Sequence, residues 1–333
     1  MWEFDDAQLE ADWVVEDPRL RYLAGVGARI RQEASQVDLP VGLDFQPRGI
    51  VAVGKESRLI RAVLEPISKV PFVAWPFSGL PAWVGPLDLV VILASHGEDS
   101  LLSTYVEARR RGALVLIAAE EDSELALQAV SSPSLLIQTR SQDPLAAAIV
   151  VLAELHRMGL SPEVNPEGAA AAADQVAEAS SPYQSLASNP AKTIALSLAD
   201  AEPLIWGGSV LAGRASRRVA EAVRRNSARA ALAADATELL FLIECTQPKD
   251  LFADPFDEPL QSNALIILDD GDDSEKVVSE RQRLIQAAEA RSVRTCLLSC
   301  DDLESKSSVD RYVYLLQQGL YAAAYLAIGL GRD

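Results

Sequence analysis

At 333 residues the chain is longer than one hydrophobic core usually grows, so two domains are expected. Its 49% hydrophobic and 23% charged residues fit a water-soluble globular protein, and no apolar run approaches the roughly 20 residues that cross a bilayer. A net charge of -18 excludes a nucleic-acid partner, whose phosphates it would repel, and obliges any anionic ligand to find a local pocket of arginines, amides or helix N-termini. The opening MWEFDDAQLEADW lacks the basic-then-apolar layout of a secretion signal, so a cytoplasmic protein is expected.

In chain order, DPRLRYLAGVGARIRQEA (Asp17 to Ala34) has the spacing of an amphipathic helix with Pro18 in its first turn. GIVAV (Gly49 to Val53) is the first expected strand, running through Gly54-Lys55-Glu56-Ser57 into a helix over Arg58 to Ile67. A short strand is expected between Pro71 and Val84. DLVVILA (Asp88 to Ala94) is a continuous apolar, β-branched run, the pattern of a strand buried on both faces of a parallel sheet. The polar turn Ser95 to Ser100 opens a helix through LLSTYVEARRRGA that stops at Gly112, and ALVLIAA (Ala113 to Ala119) is a second buried strand. Strand, turn, helix, strand is one right-handed βαβ unit. A helix near Ser123 to Ala129, a strand at Ser134 to Gln138 and a helix over Pro144 to Met158 complete an order suited to a doubly wound parallel sheet.

Ser161 to Ser188 is rich in alanine, serine and proline, with a possible helix over Pro166 to Ala179. It reads as a connector, which divides the chain into domains 1–160 and 189–333 around the linker 161–188. The second half repeats the plan. A strand and glycine turn at Pro203 to Ser209 lead to a helix over Val210 to Arg225; an irregular stretch follows. Then come NALIILDDGDDSEK, a helix to Ala290, the strand SVRTCLLSC and a last helix over Ser308 to Ile328. LVVILASHGEDS (Leu89 to Ser100) and ALIILDDGDDS (Ala264 to Ser274) match as two copies of one α/β unit would. Cys245, Cys296 and Cys300 lack metal-type spacing and read as buried, inert thiols. No metal or cofactor is expected, since Asp269 to Asp273 lacks the spacing and closing glutamate of a calcium loop.

Four short motifs carry a family resemblance. They are Asn189-Pro190-Ala191-Lys192 followed by TIALSLA, Gln138-Thr139-Arg140 after the fourth strand, Arg218 in the first helix of the second half, and Tyr325-Leu326-Ala327 in the last helix. Together they resemble the double SIS-domain (sugar isomerase) proteins, in particular bifunctional phosphoglucose/phosphomannose isomerases and their diverged actinobacterial, TobH-type members. The resemblance implies two flavodoxin-like, doubly wound parallel-sheet α/β sandwiches, a homodimer, and sugar-phosphate sites at the subunit boundary. It places phosphate-holding groups at Gly54 and Ser57 in one loop, at Ser95 and Ser100 in a second, and at Arg140; beside them, Lys55 would add positive charge to the first loop and His96 stands in the second as a further candidate. Hydroxyls and amides at helix starts suit an anion; Glu56 and Glu98 depart from the family's loops, because a carboxylate repels phosphate.

Aldose–ketose isomerisation needs a base to move a proton between C1 and C2, and an acid–base group to open the ring. Where the family has its Asn-Glu-Asn base segment, this chain reads Arg224-Arg225-Asn226, and Phe241 stands at the ring-opening histidine. Glu238 and Glu244 are the carboxylates remaining nearby, and the chain stops at Asp333, before the family's tail. Of the two histidines, His96 sits in the strand-end turn and His156 near a helix C-terminus, which suits its charge. The expectation is an isomerase-like protein that binds hexose phosphates, the family reaction being glucose-6- or mannose-6-phosphate to fructose-6-phosphate, with the catalytic glutamate and histidine missing. The alternative is a non-catalytic SIS-domain regulator or partner protein of mannose metabolism.

Overall fold

The computed structural model describes residues 4–37, 39, 45–94, 100–246 and 262–332. After two short 3-10 turns, Asp6–Glu10 and Asp12–Glu16, the chain runs through α1 (Pro18–Ala24), α2 (Val26–Ala34), β1 (Ile50–Gly54), α3 (Ser57–Leu64), β2 (Phe72–Ala74), β3 (Leu89–Ala94) and α4 (Ser100–Arg110). Then come β4 (Leu114–Glu120), α5 (Glu124–Val130), β5 (Leu135–Thr139), α6 (Pro144–Arg157) and α7 (Pro166–Ala179). The remainder is α8 (Pro190–Ser197), β6 (Ala201–Gly207), α9 (Val210–Ser227), β7 (Leu232–Ala233), α10 (Ala236–Cys245), β8 (Ser262–Asp269), α11 (Glu275–Ala290), β9 (Arg294–Ser299) and α12 (Ser308–Gly329). The chain forms two compact units, Val26–Ala171 and Met1–Gly25 with Ala172–Asp333.

Two elements differ from expectation. The single helix expected over Asp17 to Ala34 is two, α1 and α2, parted at Gly25. The apolar period continues through Gly25-Val26-Gly27, but two glycines in three residues cost the helix about 2 kcal/mol relative to alanine, and it breaks. The stretch expected to be irregular after α9 holds β7 and α10, the latter capped by Asp235, whose side chain accepts from the Glu238 amide.

In the Val26–Ala171 unit all five strands are parallel, in the order β2-β1-β3-β4-β5. Alternate residues face opposite layers. Val51, Val53, Val90, Ile92, Val115 and Ile117 pack with Tyr105, Leu125 and Ala129 beneath α4 and α5, while α3 and α6 cover the other face. Each of these fully buried valines and isoleucines stabilises by about 1.5–3 kcal/mol. The chain leaves β1 toward β2 on one side, and β3 lies on the other. Such a reversal opens a crevice at the carboxyl ends of β1 and β3, where open α/β sheets bind ligands.

The other unit repeats the topology with four parallel strands, β7-β6-β8-β9, so its reversal lies between β6 and β8. Leu204, Trp206, Leu265 and Ile267 pack against α10 and α11; α9 and α12 cover the opposite face. Helix α12 is buried on nearly every side, as a helix apolar all round must be. Its Gly319 lets α9 approach so closely that a Cβ there would stand 2.2 Å from Cγ2 of Val219. The N-terminal segment is tied to α12 as well: the Asp5 amide donates to the Gly329 carbonyl at 2.8 Å. No helix among the described residues is long and apolar enough to cross a membrane.

Candidate functional site at the sheet reversal of the Val26–Ala171 unit

The turn between β1 and α3 holds two left-handed residues within three positions. Gly54 has φ +92°, and a Cβ there would meet the carbonyl oxygen of Leu93 at 2.1 Å, so only glycine lets β1 end against β3 in this way. Glu56 has φ +60°, a conformation that costs a non-glycine residue roughly 1–2 kcal/mol. It is buried, and its carbonyl accepts from the Leu59 and Ile60 amides at 2.8 and 3.2 Å. Its side chain makes no capping bond to α3, which therefore starts without the side-chain cap that Ser123 gives α5 or Asp143 gives α6. The Leu59 amide is taken by the Glu56 carbonyl; the start of the first turn, at Ser57 and Arg58, and the positive end of the helix dipole favour an anion. Ser57 opens α3 and is buried, while Lys55 is exposed beside it.

Of the second expected loop, Ser95 and His96 lie outside the described residues, as do Gly97, Glu98 and Asp99; Ser100 is the first residue of α4. β3 ends at Ala94, beside the end of β1 at Gly54. Arg140 follows β5, three strand spacings from β1, or about 14 Å. Its Nε donates to Glu121 Oε2 at 2.9 Å, an exposed ion pair. Its amide donates to the carboxylate of Glu33 at 3.0 Å, as does the Ser141 amide at 2.5 Å. Glu33, fully buried on α2, thus occupies the amides that begin this loop. No local pattern announces that role, because the partners lie 107 and 108 positions apart.

The corresponding edge of the other unit is filled by its own side chains. Ser209 caps α9 by accepting from the Ala212 amide at 3.0 Å, and its hydroxyl donates to Asp270. Asp269 pairs with Arg281, and Arg311 donates to the Asp270 carbonyl at 2.6 Å. Aspartates already satisfied by arginine and serine fill this helix start, and their charge opposes a phosphate.

Glu238 and Glu244 are both exposed, in the first and last turns of α10. Six residues apart, they are separated by about 9 Å along the axis and point to different sides. Phe241 on the same helix is 65% exposed. Arg224 donates to the Ala231 carbonyl at 2.7 Å at the end of α9, and Arg225 pairs with Glu221. His156, at the end of α6, lies 3.2 Å from the carbonyl oxygen of Ser161. The cysteines need one correction: Cys300 is buried and Cys296 half-buried, but Cys245, at the C-terminus of α10, is exposed.

Residues 187–333 match the family model described as bacterial phospho-glucose isomerase C-terminal SIS domain. No curated protein sequence matches the chain. Among solved structures, the C-terminal domain of glucosamine-fructose-6-phosphate aminotransferase from Francisella tularensis is similar with a TM-score of 0.63 at 13% identity, over 94% of this chain and 96% of that one. Tagatose-6-phosphate ketose/aldose isomerase from Escherichia coli gives 0.60 at 12% identity, over 98% and 94%. A glucose-6-phosphate isomerase like protein from Thermus thermophilus gives 0.55 at 17% identity, over 95% and 94%. What the chain shares with these proteins is the fold, two α/β sandwiches on parallel sheets along nearly the full length of each.

Proposed function

We propose that this chain binds a sugar phosphate at the β1–α3 turn of its Val26–Ala171 unit and does not carry out the aldose–ketose isomerisation of the family it resembles. The observation that carries this is the turn itself: left-handed Gly54 and Glu56 at the sheet reversal, leading into a helix without a side-chain cap. Backbone held in sparsely populated conformations at a ligand crevice suggests function, and uncapped amides suit a phosphate. Lys55 adds a cation and Ser57 a hydroxyl, with Ser95, His96 and Ser100 assigned to the neighbouring loop. Arg140, about 14 Å across the sheet, would meet the sugar end rather than the phosphate, after exchanging Glu121 for the ligand.

The match to an SIS-domain model and the three isomerase- and aminotransferase-type folds support a hexose 6-phosphate as the class of ligand. The finer assignment, to the diverged TobH-type relatives of phosphoglucose/phosphomannose isomerase, rests on the motifs at Asn189 to Lys192, Gln138 to Arg140 and Tyr325 to Ala327. Loss of turnover follows from Phe241 and Arg225 at the family's acid and base positions, with Glu238 and Glu244 too far apart to replace them. Thermal shift with glucose-, mannose- and fructose-6-phosphate tests the binding: a shift that Lys55→Glu removes is expected, and no shift with any of the three refutes it.

A further inference from the structure

We infer that the open edge of β9 is an interface between two copies of this chain, which pair β9 to β9 antiparallel about a two-fold axis at Leu297. The two units repeat one plan, but not to the same length. After β4 the Val26–Ala171 unit continues through α5 and β5 to α6; after β9 the other unit passes straight to α12. β9 therefore pairs with β8 on one side and with no strand among the described residues on the other. The packing differs accordingly. In β4, Val115 to Ala119 are all buried, with Leu125, Ala126 and Ala129 of α5 against that face. In β9, Thr295 is exposed and Leu297 is 56% exposed, although their register partners on β8, Leu265 and Ile267, are fully buried.

Proteins guard a free strand edge with shortness, proline or charge, because its unpaired amides and carbonyls recruit another strand. The edges at β7 and β2 are guarded: β7 has two residues, and β2 has three, between Pro71 and Pro76. β9 runs six residues, Arg294–Ser299, with no proline and with its one charge at the first position, paired to Asp200. The charges beside the strand select the occupant. Arg291 and Arg294 stand at its start with Asp200, and Asp301 and Asp302 follow its end. A strand reversed against its copy sets each basic end beside an acidic one, whereas a parallel pair would set like ends together. With Leu297 on the axis, Leu297 meets its own copy, Thr295 faces the second copy's Ser299, and Cys296 faces its Leu298. Two four-stranded sheets become one continuous sheet.

The test is a disulfide trap in the full-length chain carrying Cys245→Ser, which removes the exposed thiol. On the axis, Leu297 and its copy have Cα atoms about 4.5–5.5 Å apart, within the reach of a disulfide, whereas Thr295 and its copy are about 14 Å apart. Mild oxidation of Leu297→Cys should give a covalent dimer on non-reducing gels, and Thr295→Cys should not. Sedimentation of the native chain should show a mass that Leu297→Lys halves, with the far-ultraviolet circular dichroism of the lysine variant unchanged because the replaced side chain is exposed. No dimer band from Leu297→Cys, equal bands from the two cysteine variants, or a mass that Leu297→Lys leaves unchanged overturns the interface.

Discussion

The ammonium group of Lys192 donates to the carbonyl oxygen of Gln184 at 2.8 Å and to that of Pro182 at 3.2 Å, from a side chain only 1% exposed. It lies 5.6 Å from the centre of the Tyr325 ring. Asn189 starts the same helix, accepting from the Ala191 and Lys192 amides and donating to the Ser181 carbonyl at 3.0 Å. The Asn-Pro-Ala-Lys motif is thus a helix cap and a clamp on the preceding loop.

Lys192→Met removes the clamp and strands the carbonyls it satisfied. A loss of about 2 kcal/mol in urea unfolding at pH 7 is expected. Burial holds the Lys192 ammonium below its ordinary 10.5, partly opposed by the charge of Glu10. Between that lowered value and 10.5 the unfolded chain keeps a proton that the folded chain has released, so native stability rises with pH there. Lys192→Met should lack that rise, and the stability gap between the two proteins should widen toward pH 10.5.

Asp17 governs the acid limb. Burial raises its pKa, but the hydrogen bond and charge of Arg19, with the Leu20 and Arg19 amides, outweigh this and hold it below 3.8. The stability it contributes is fully present above pH 3.8 and is lost as pH falls through the depressed value. Asp17→Asn should cost roughly 2 kcal/mol at neutral pH, and that difference should close in acid titrations followed by circular dichroism.

Gly54→Ala should destabilise by about 2–3 kcal/mol, because the new Cβ meets Leu93 at 2.1 Å in a left-handed conformation. An equal change at Gly159, also left-handed but with open space around a Cβ, should cost about 1 kcal/mol. Equal losses at the two positions would show that the β1–β3 approach is not the constraint.

Thiol titration with a disulfide reagent should find one fast group in the native chain, Cys245. Burial pushes the Cys300 thiol up to about 12, against the charge of Arg311, so it should react only on unfolding. Burial raises Cys296 too, and an intermediate rate is expected there. Three equally fast thiols would contradict the packing of β9.

The parallel sheets were legible because strands buried on both faces leave continuous apolar runs, as Leu89–Ala94 and Leu114–Glu120 do. The Gly54 turn was legible as a glycine between strand and helix. Glu56 was not, since a left-handed glutamate carries no compositional mark. The end of α1 at Gly25 was hidden by an amphipathic period that runs on through α2. Glu33 acts on amides 107 and 108 positions away, and Arg19, held by Asp17, donates to the carbonyl of Arg332 at the chain's far end, contacts about which local pattern says nothing. The exposure of Cys245 turns on its being the last residue of a helix whose apolar side is Leu239, Leu240 and Ile243.

The most direct test follows ¹³C-labelled fructose 6-phosphate by NMR in the presence of the full-length chain and its Lys55→Glu variant. Saturable broadening of the sugar-phosphate signals that Lys55→Glu abolishes, with no label appearing in glucose or mannose 6-phosphate, is the predicted result. Unchanged signals, or steady appearance of label in either aldose, would contradict it.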